Sequence, residues 1–255
     1  MTSFASYPSL KDRAVFVSGG GSGIGASIVE HFAAEGAKVG FVDVDEAASK
    51  ALGAKIAAAG HPAPMFAKCD VRDIAAYQAA IAEMAGRLGP FTVLINNAAR
   101  DDRHSLEEVT PAYWDERIAV NLRHQFFAIQ TVAPGMKKAG GGSIVNFSSV
   151  SYHTMTANLA VYQAAKAAVI GMTRGLARDL GPDKIRLNAI TPGWIMTQRQ
   201  IDLWLTPQAE AGLMQAQCLK EKLYPPDIAR MALWLAADDS RLVTAQNFVV
   251  DGGRM

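Results

Sequence analysis

Residues 18–25 read Ser-Gly-Gly-Gly-Ser-Gly-Ile-Gly, set between an apolar run at 14–18 and a segment of helical period that begins at once. Glycines permit the tight turn and close backbone approach that a strand-to-helix junction needs when it faces a pyrophosphate. The unpaired N–H groups and positive dipole end of the following helix attract such an anion. Gly19, Ser22, Gly23, Ile24 and Gly25 are therefore the candidate cradle. Its position directly after the first strand commits the chain to begin as a βαβ unit.

The rest of the sequence continues in that style. Short apolar runs at 14–18, 38–43, 65–69, 91–96, 143–148, 185–190 and 247–250 read as strands. Helical segments such as 23–35, 46–59, 74–88, 112–138 and 161–180 lie between them, rich in alanine and other good helix formers. This order predicts an α/β fold: a single Rossmann-type, doubly wound domain over 1–255, with a seven-stranded parallel sheet and helices on both faces. A chain of 255 residues, 50% of them hydrophobic, can build that one core. One stretch departs from the alternation. Residues 191–224 run through Pro192, Gly193 and Pro207 with mixed polarity, too long for an ordinary connection, and read as a substrate lid within the domain.

Charge and composition exclude several classes of function. A net charge of +1 with both signs intermixed offers no footprint for nucleic acid or an anionic membrane. The N-terminus has neither a basic start nor an apolar signal core, and no apolar run approaches membrane-spanning length, so a soluble cytoplasmic protein is expected. Cys69 and Cys218 form no CxxC pair, which suits packed thiols in a reducing compartment. His104 and His124 lie near Asp101 and Asp102 but at no HxxxH or HExxH spacing, so no metal site is expected.

Asp43 ends the second strand, eighteen residues beyond Gly25, where a carboxylate can accept hydrogen bonds from an adenosine ribose. A 2′-phosphate about 4 Å away would be repelled by roughly 4 kcal/mol per unit-charge pair at an effective dielectric of 20. Ser22 and Val44 stand where a neutralising arginine or lysine would be wanted. These residues favour NAD over NADP as cofactor. Further along, Tyr162 and Lys166 are four positions apart on a helix, sharing one face about 6 Å apart along its axis. A half-buried tyrosine and a solvated lysine would show the same spacing.

Taken in order, SGGGSGIG, Asn-Asn-Ala-Ala at 96–99, Asn121, Ser149 thirteen residues before Tyr162, YxxxK and Pro192-Gly193 resemble the short-chain dehydrogenase/reductase family over essentially the full length. The resemblance implies Tyr162 as general acid/base, Ser149 positioning the reacting oxygen, and Lys166 lowering the tyrosine pKa and holding the nicotinamide ribose. It implies that Asn121 supports a water-linked proton path. It also assigns Asp70 and Val71 to the adenine, Asn97 to the adenosine side, and Ile195 and Thr197, after Pro192 and Gly193, to the nicotinamide carboxamide. Two departures are visible: Ser18 replaces the usual threonine, and Ala99 replaces a glycine, adding a methyl near the cofactor. Ser148 and Ser151 compete with Ser149, but only Ser149 has the spacing implied by the resemblance. The family also suggests a homotetramer built on the 112–138 and 161–180 helices.

For the substrate, Trp194, Gln198, Arg199, Gln200, Asp202 and Trp204 mix polar groups with indoles, which suits a sugar with several hydroxyls and an apolar C–H face. The same residues fit an amphipathic helix with Trp204 inward. Ser151, His153 and Asn158, between or beside Ser149 and Tyr162, are further candidate ligands, with Trp194 and Arg199 from the lid. The stretch 101–124, with PGWIMTQRQ and AQCLK, is similar to bacterial aldose 1-dehydrogenases of that family acting on D-xylose or galactose. The expected activity is NAD-dependent oxidation of an aldose pyranose at C1. The alternatives are a secondary-alcohol dehydrogenase or ketone reductase on the same fold, and a dinucleotide-binding regulator without turnover.

Overall fold

In β1 (Ala14–Ser18) successive side chains point to opposite faces, and both faces are buried. Val15 and Val17 join a core with Ile28, Phe32, Phe41, Leu52 and Ile228. Ala14 and Phe16 join a second core with Val42, Tyr77, Leu94, Ile129 and Leu187. A strand buried on both faces reads as an unbroken apolar run, which is how VFV appears in the sequence.

The computed structural model describes residues 4–255. After β1 come α1 (Gly23–Ala34), β2 (Lys38–Asp43), α2 (Glu46–Ala58), β3 (Met65–Lys68), α3 (Ile74–Leu88) and β4 (Val93–Asn96). The chain continues through α4 (Pro111–Ile118), α5 (His124–Lys138), β5 (Gly142–Phe147), α6 (Ala160–Leu180) and β6 (Ile185–Pro192). It ends with α7 (Gln198–Trp204), α8 (Pro207–Ala216), α9 (Pro225–Ala236) and β7 (Asn247–Val250). The seven strands form one parallel sheet in the order β3-β2-β1-β4-β5-β6-β7. Helices α1, α2 and α9 contribute to the first core, and α3, α5 and α6 to the second. The fold is the doubly wound α/β sheet that the sequence predicts. Strand order reverses between β1 and β4, so the crevice outside their C-terminal ends is the place for a ligand.

Three expected elements differ by more than one residue, each for a physical reason. β6 runs two residues past 190 because Thr191 and Pro192 pair with Val249 and Val250 of β7, so the departure from regular alternation starts at Gly193. The expected strand at 91–96 pairs only from Val93, although Phe91 is buried beside it. The single helix expected over 112–138 is broken by a π-helical turn, Ala119–Arg123. There Asn121 Nδ2 donates to the Arg117 carbonyl (3.0 Å), the group an unbroken α-helix would pair with the Asn121 backbone N–H. The lid segment holds two short helices, α7 and α8, and returns to pair Leu223 with Ile195. Among the described residues no helix is long and apolar enough to cross a membrane.

Candidate active site

A cavity of about 670 Å³ opens at the C-terminal ends of the strands, lined from the glycine turn at one end to the lid at the other. Gly19 turns with φ +67°, and its carbonyl lies where a Cβ on Gly25 would sit, 1.8 Å away, so only glycine allows the first turn of α1 this close to β1. Ser22 is the N-cap of α1 but makes no side-chain cap hydrogen bond, which leaves first-turn N–H groups free for a phosphate. Gly23 does not line the cavity; its φ of +54° shapes the turn, and a Cβ there would press on Thr197. The Ser18 hydroxyl accepts from Asn97 N–H (3.1 Å) and Ala98 N–H (3.2 Å), while Asn97 Nδ2 donates to the Gly19 carbonyl (2.9 Å). Serine therefore suffices at 18: its oxygen bolts the cradle to the end of β4.

The carboxylate of Asp43 stands in the cavity wall at the C-terminal end of β2. Its Oδ2 accepts from Gly21 N–H (2.8 Å) and its Oδ1 from Asp45 N–H (3.0 Å), so it is held rigid at the cavity wall. Val44 beside it is 61% exposed, and no basic side chain occupies that position. Asp70 and Val71 line the wall next along, but Asp70 is gripped by Arg72, whose Nε donates to both carboxylate oxygens (3.0 and 2.9 Å). That bond holds the Asp70 carboxyl below its ordinary range against the opposing effect of burial.

At the other end, α6 presents Tyr162 and Lys166 one turn apart, with Lys166 Nζ 5.6 Å from the centre of the phenol ring. Lys166 is 1% exposed and donates to the Phe147 carbonyl (2.9 Å); burial pushes its pKa down to about 7, opposed by Asp101. Burial likewise pushes the Tyr162 phenol up, with Asp101 adding to the rise, while the neighbouring Ser149 hydroxyl and Arg103 pull it down. Ser149 also accepts from Ser151 N–H (3.2 Å), and Ser148 instead donates to the Lys166 carbonyl (2.7 Å), which ties it to the helix backbone. Ser151 is buried in the cavity wall with an unpartnered Oγ. Pro192, Gly193, Trp194, Ile195, Thr197 and Arg199 complete the wall from the lid side.

Three candidates fall elsewhere. His153 is exposed, does not line the cavity, and stacks on Tyr152 with ring centres 3.9 Å apart. Asn158 is also exposed; its φ of +58° spends the residue on a turn whose carbonyl accepts from His104 N–H (3.0 Å). Asn121 is fully buried behind the wall, where its side chain accepts from Arg100 N–H (2.9 Å) and donates to the Arg100 carbonyl (3.1 Å). Its amide positions the loop after β4. Conversely, Arg72, Asp101 and Arg103 line the cavity, although no motif in the sequence singles them out as ligands. Their position just beyond the C-terminal ends of β3 and β4 was the signal available, since that edge of such a sheet carries the ligand contacts.

The two histidines are structural. His124 is fully buried, Nε2 against the Ala98 carbonyl (3.0 Å), and burial lowers its pKa to about 3, keeping the ring neutral. His104 packs edge-on against Tyr113 with ring centres 5.3 Å apart. Among the described residues no group of three or more potential metal ligands comes together.

Comparison with known proteins places this geometry. A family model described as enoyl-(acyl carrier protein) reductase matches residues 19–254. The chain is 51% identical over 247 residues to the probable galactose dehydrogenase GalD of Rhizobium meliloti, covering 97% of this chain and 96% of that one. It is 49% identical over 251 residues to D-xylose 1-dehydrogenase of Caulobacter vibrioides, covering 98% and 99%. Among solved structures, a 3-oxoacyl-(acyl-carrier protein) reductase with bound NAD from Brucella melitensis superposes with a TM-score of 0.89 at 32% identity, over 100% of this chain and 98% of that one.

Proposed function

The chain belongs to the short-chain dehydrogenase/reductase family of oxidoreductases, and from that membership we propose that it oxidises an aldose pyranose at C1 to the aldonolactone with NAD. The observation that carries the reading is the meeting of Ser149, Tyr162 and Lys166 in one cavity of a chain half identical to two named sugar dehydrogenases. Bound NAD supplies the acceptor for the hydride that leaves C1. The cradle at Gly19, Ser22, Ile24 and Gly25 would hold its pyrophosphate, with Asp43 on the ribose and Asp70, Val71 and Asn97 on the adenosine side. Ile195 and Thr197 would hold its carboxamide, and Lys166 its nicotinamide ribose. A relative of known structure binds NAD on the same fold, which supports the class of cofactor.

In this reading Tyr162 takes the proton of the anomeric hydroxyl as the C1–O bond becomes a carbonyl, and the Ser149 hydroxyl holds that oxygen. Burial first, and then the Asp101 carboxylate, oppose the phenolate. An ammonium on Lys166 about 5–6 Å from the phenolate oxygen would favour it by roughly 3 kcal/mol at an effective dielectric of 20, about two pKa units. The lysine and the phenol thus relieve each other: the phenolate restores the charge that burial takes from Lys166. Ser151, Trp194 and Arg199 supply polar contacts for the other sugar atoms, and residues 193–224 act as the lid of a single-domain enzyme.

Incubating the purified protein with NAD and separate panels of aldoses and secondary alcohols, and following NADH absorbance, tests the proposal. NADH is expected with aldopentoses or aldohexoses; turnover confined to non-sugar alcohols refutes the sugar reading, and no turnover on either panel leaves only the regulator.

The enzyme is further proposed to work in the cytoplasm as a homotetramer. A groove between α4, α5 and α6, lined by Ile118, Leu122, Phe126, Phe127 and Met172, presents an apolar face that a second copy of the same helices would cover. Light scattering behind size-exclusion chromatography should give four times the chain mass; a monomer would overturn this assembly.

A further inference from the structure

The loop that leaves β4 is pinned at two points. At its start, both backbone groups of Arg100 are held by the Asn121 side chain (2.9 and 3.1 Å). At its end, His104 N–H donates to the Asn158 carbonyl (3.0 Å) and His104 Nε2 accepts from Val161 N–H (3.3 Å), fastening the loop to the start of α6. Between these anchors lie Asp101, Asp102 and Arg103. Asp101 and Arg103 line the cavity, whereas Asp102 does not and pairs with Arg117 (2.6 Å), Arg100 (2.8 Å) and Arg199 (3.0 Å). The fixed backbone therefore delivers one acceptor and one donor, two residues apart, to the wall beside Tyr162.

We propose that Asp101 and Arg103 are the specificity-determining pair for a vicinal diol of the sugar ring, the carboxylate accepting from one hydroxyl and the guanidinium donating to its neighbour. The inference rests on the sugar reading above and deepens it. Arg103 stacks over Trp204 at 4.9 Å and has no carboxylate partner among the described residues, so its N–H groups are available for a ligand. Asp101 Oδ2 accepts from the neutral Gln200 Nε2 (2.8 Å), and its Oδ1 lies 3.5 Å from Arg199 Nε, which leaves acceptor capacity on both oxygens. Two buried donors nearby, Trp204 Nε1 and Ser151 Oγ, have no partner either. Buried polar groups are nearly always satisfied, and a hydroxyl-rich ligand would satisfy these. A simple secondary alcohol offers one hydroxyl, which Tyr162 and Ser149 already use, and leaves the charged pair unmatched.

The charges facing the Tyr162 phenol are Asp101 and Arg103 from the β4 loop and Lys166 from its own helix, with the Ser149 hydroxyl following β5. Arg199 of α7 also lines the cavity but is neutralised by Asp101 and Asp102. Removing Asp101 or Arg103 should therefore displace the pH profile in opposite directions.

The test compares wild type, Asp101→Asn and Arg103→Met on an aldose that the enzyme turns over and on its monodeoxy forms. Each substitution should raise KM for the aldose tenfold or more while KM for NAD stays within twofold. Wild type should penalise loss of two adjacent hydroxyls, and each variant should lose the discrimination at the one hydroxyl that its residue binds. The acidic limb of kcat/KM should move to lower pH in Asp101→Asn and to higher pH in Arg103→Met, signs that mere loosening of the loop would not produce. Isothermal titration of NAD shows that each variant keeps its fold. Aldose oxidation by wild type with deoxy discrimination intact in both variants overturns the pair alone. Turnover of alcohols but of no aldose overturns the sugar reading, and the pair with it.

Discussion

Tyr162→Phe should lower kcat by about 10²–10⁴-fold while leaving the dissociation constant for NAD within about threefold. The substitution removes one oxygen from a ring whose hydrocarbon remains in the same wall, so packing against α6 is preserved. What disappears is the phenol oxygen beside the Ser149 hydroxyl, the proposed acceptor of the anomeric proton. The pH profile separates loss of a base from loss of geometry. In wild type, kcat/KM should rise about tenfold per pH unit on its acidic limb, because only the phenolate accepts a proton. Lys166→Met should carry that limb upward by removing the one charge on α6 that favours the phenolate, whereas in Tyr162→Phe the limb should vanish. Stopped-flow single turnovers followed by NADH absorbance read the chemical step directly. Retention of a tenth or more of wild-type kcat in Tyr162→Phe would assign the base elsewhere.

The legibility of this chain follows the range of the forces involved. The glycine turn and the buried strands are dictated locally, by steric limits at Gly19 and Gly25 and by apolar runs buried on both faces. Such features survive in a one-dimensional reading. Tyr162 and Lys166 are legible because a helix converts four positions into one face. Asn121, by contrast, has a role set by a π-turn and by Arg100, twenty-one positions away. His153 illustrates the reverse error: closeness in sequence to Ser149 does not bring a side chain to the cavity when an intervening short helix turns it toward Tyr152 and solvent. Asp101 and Arg103 were hidden for a related reason. In sequence nothing separates them from their charged neighbours, and only the anchoring of Arg100 and His104 turns these two of the three intervening residues inward.

The cofactor preference should respond to a single carboxylate. Asp43→Ala is expected to reduce the ratio of NAD to NADP efficiency, each as kcat/KM, by about 10² or more. Removing a unit negative charge some 4 Å from a 2′-phosphate relieves roughly 4 kcal/mol at an effective dielectric of 20, near 10³ in the limit. Solvent at the exposed Val44 screens part of that repulsion, which sets the lower figure. The change should come from both sides of the ratio. NADP gains because repulsion is lifted, and NAD loses because Asp43 also holds Gly21 N–H at 2.8 Å, so the cradle loosens with it. Asp43→Asn separates the two contributions: its side-chain oxygen can still accept from Gly21 while the charge is gone, so NADP should gain with a smaller loss for NAD. Adding Val44→Arg to Asp43→Ala should raise NADP efficiency further, since a guanidinium at that exposed position would pair with the phosphate. Steady-state kinetics with each cofactor at saturating substrate read all three. An unchanged ratio in Asp43→Ala would mean that the ribose is bound somewhere other than at the end of β2.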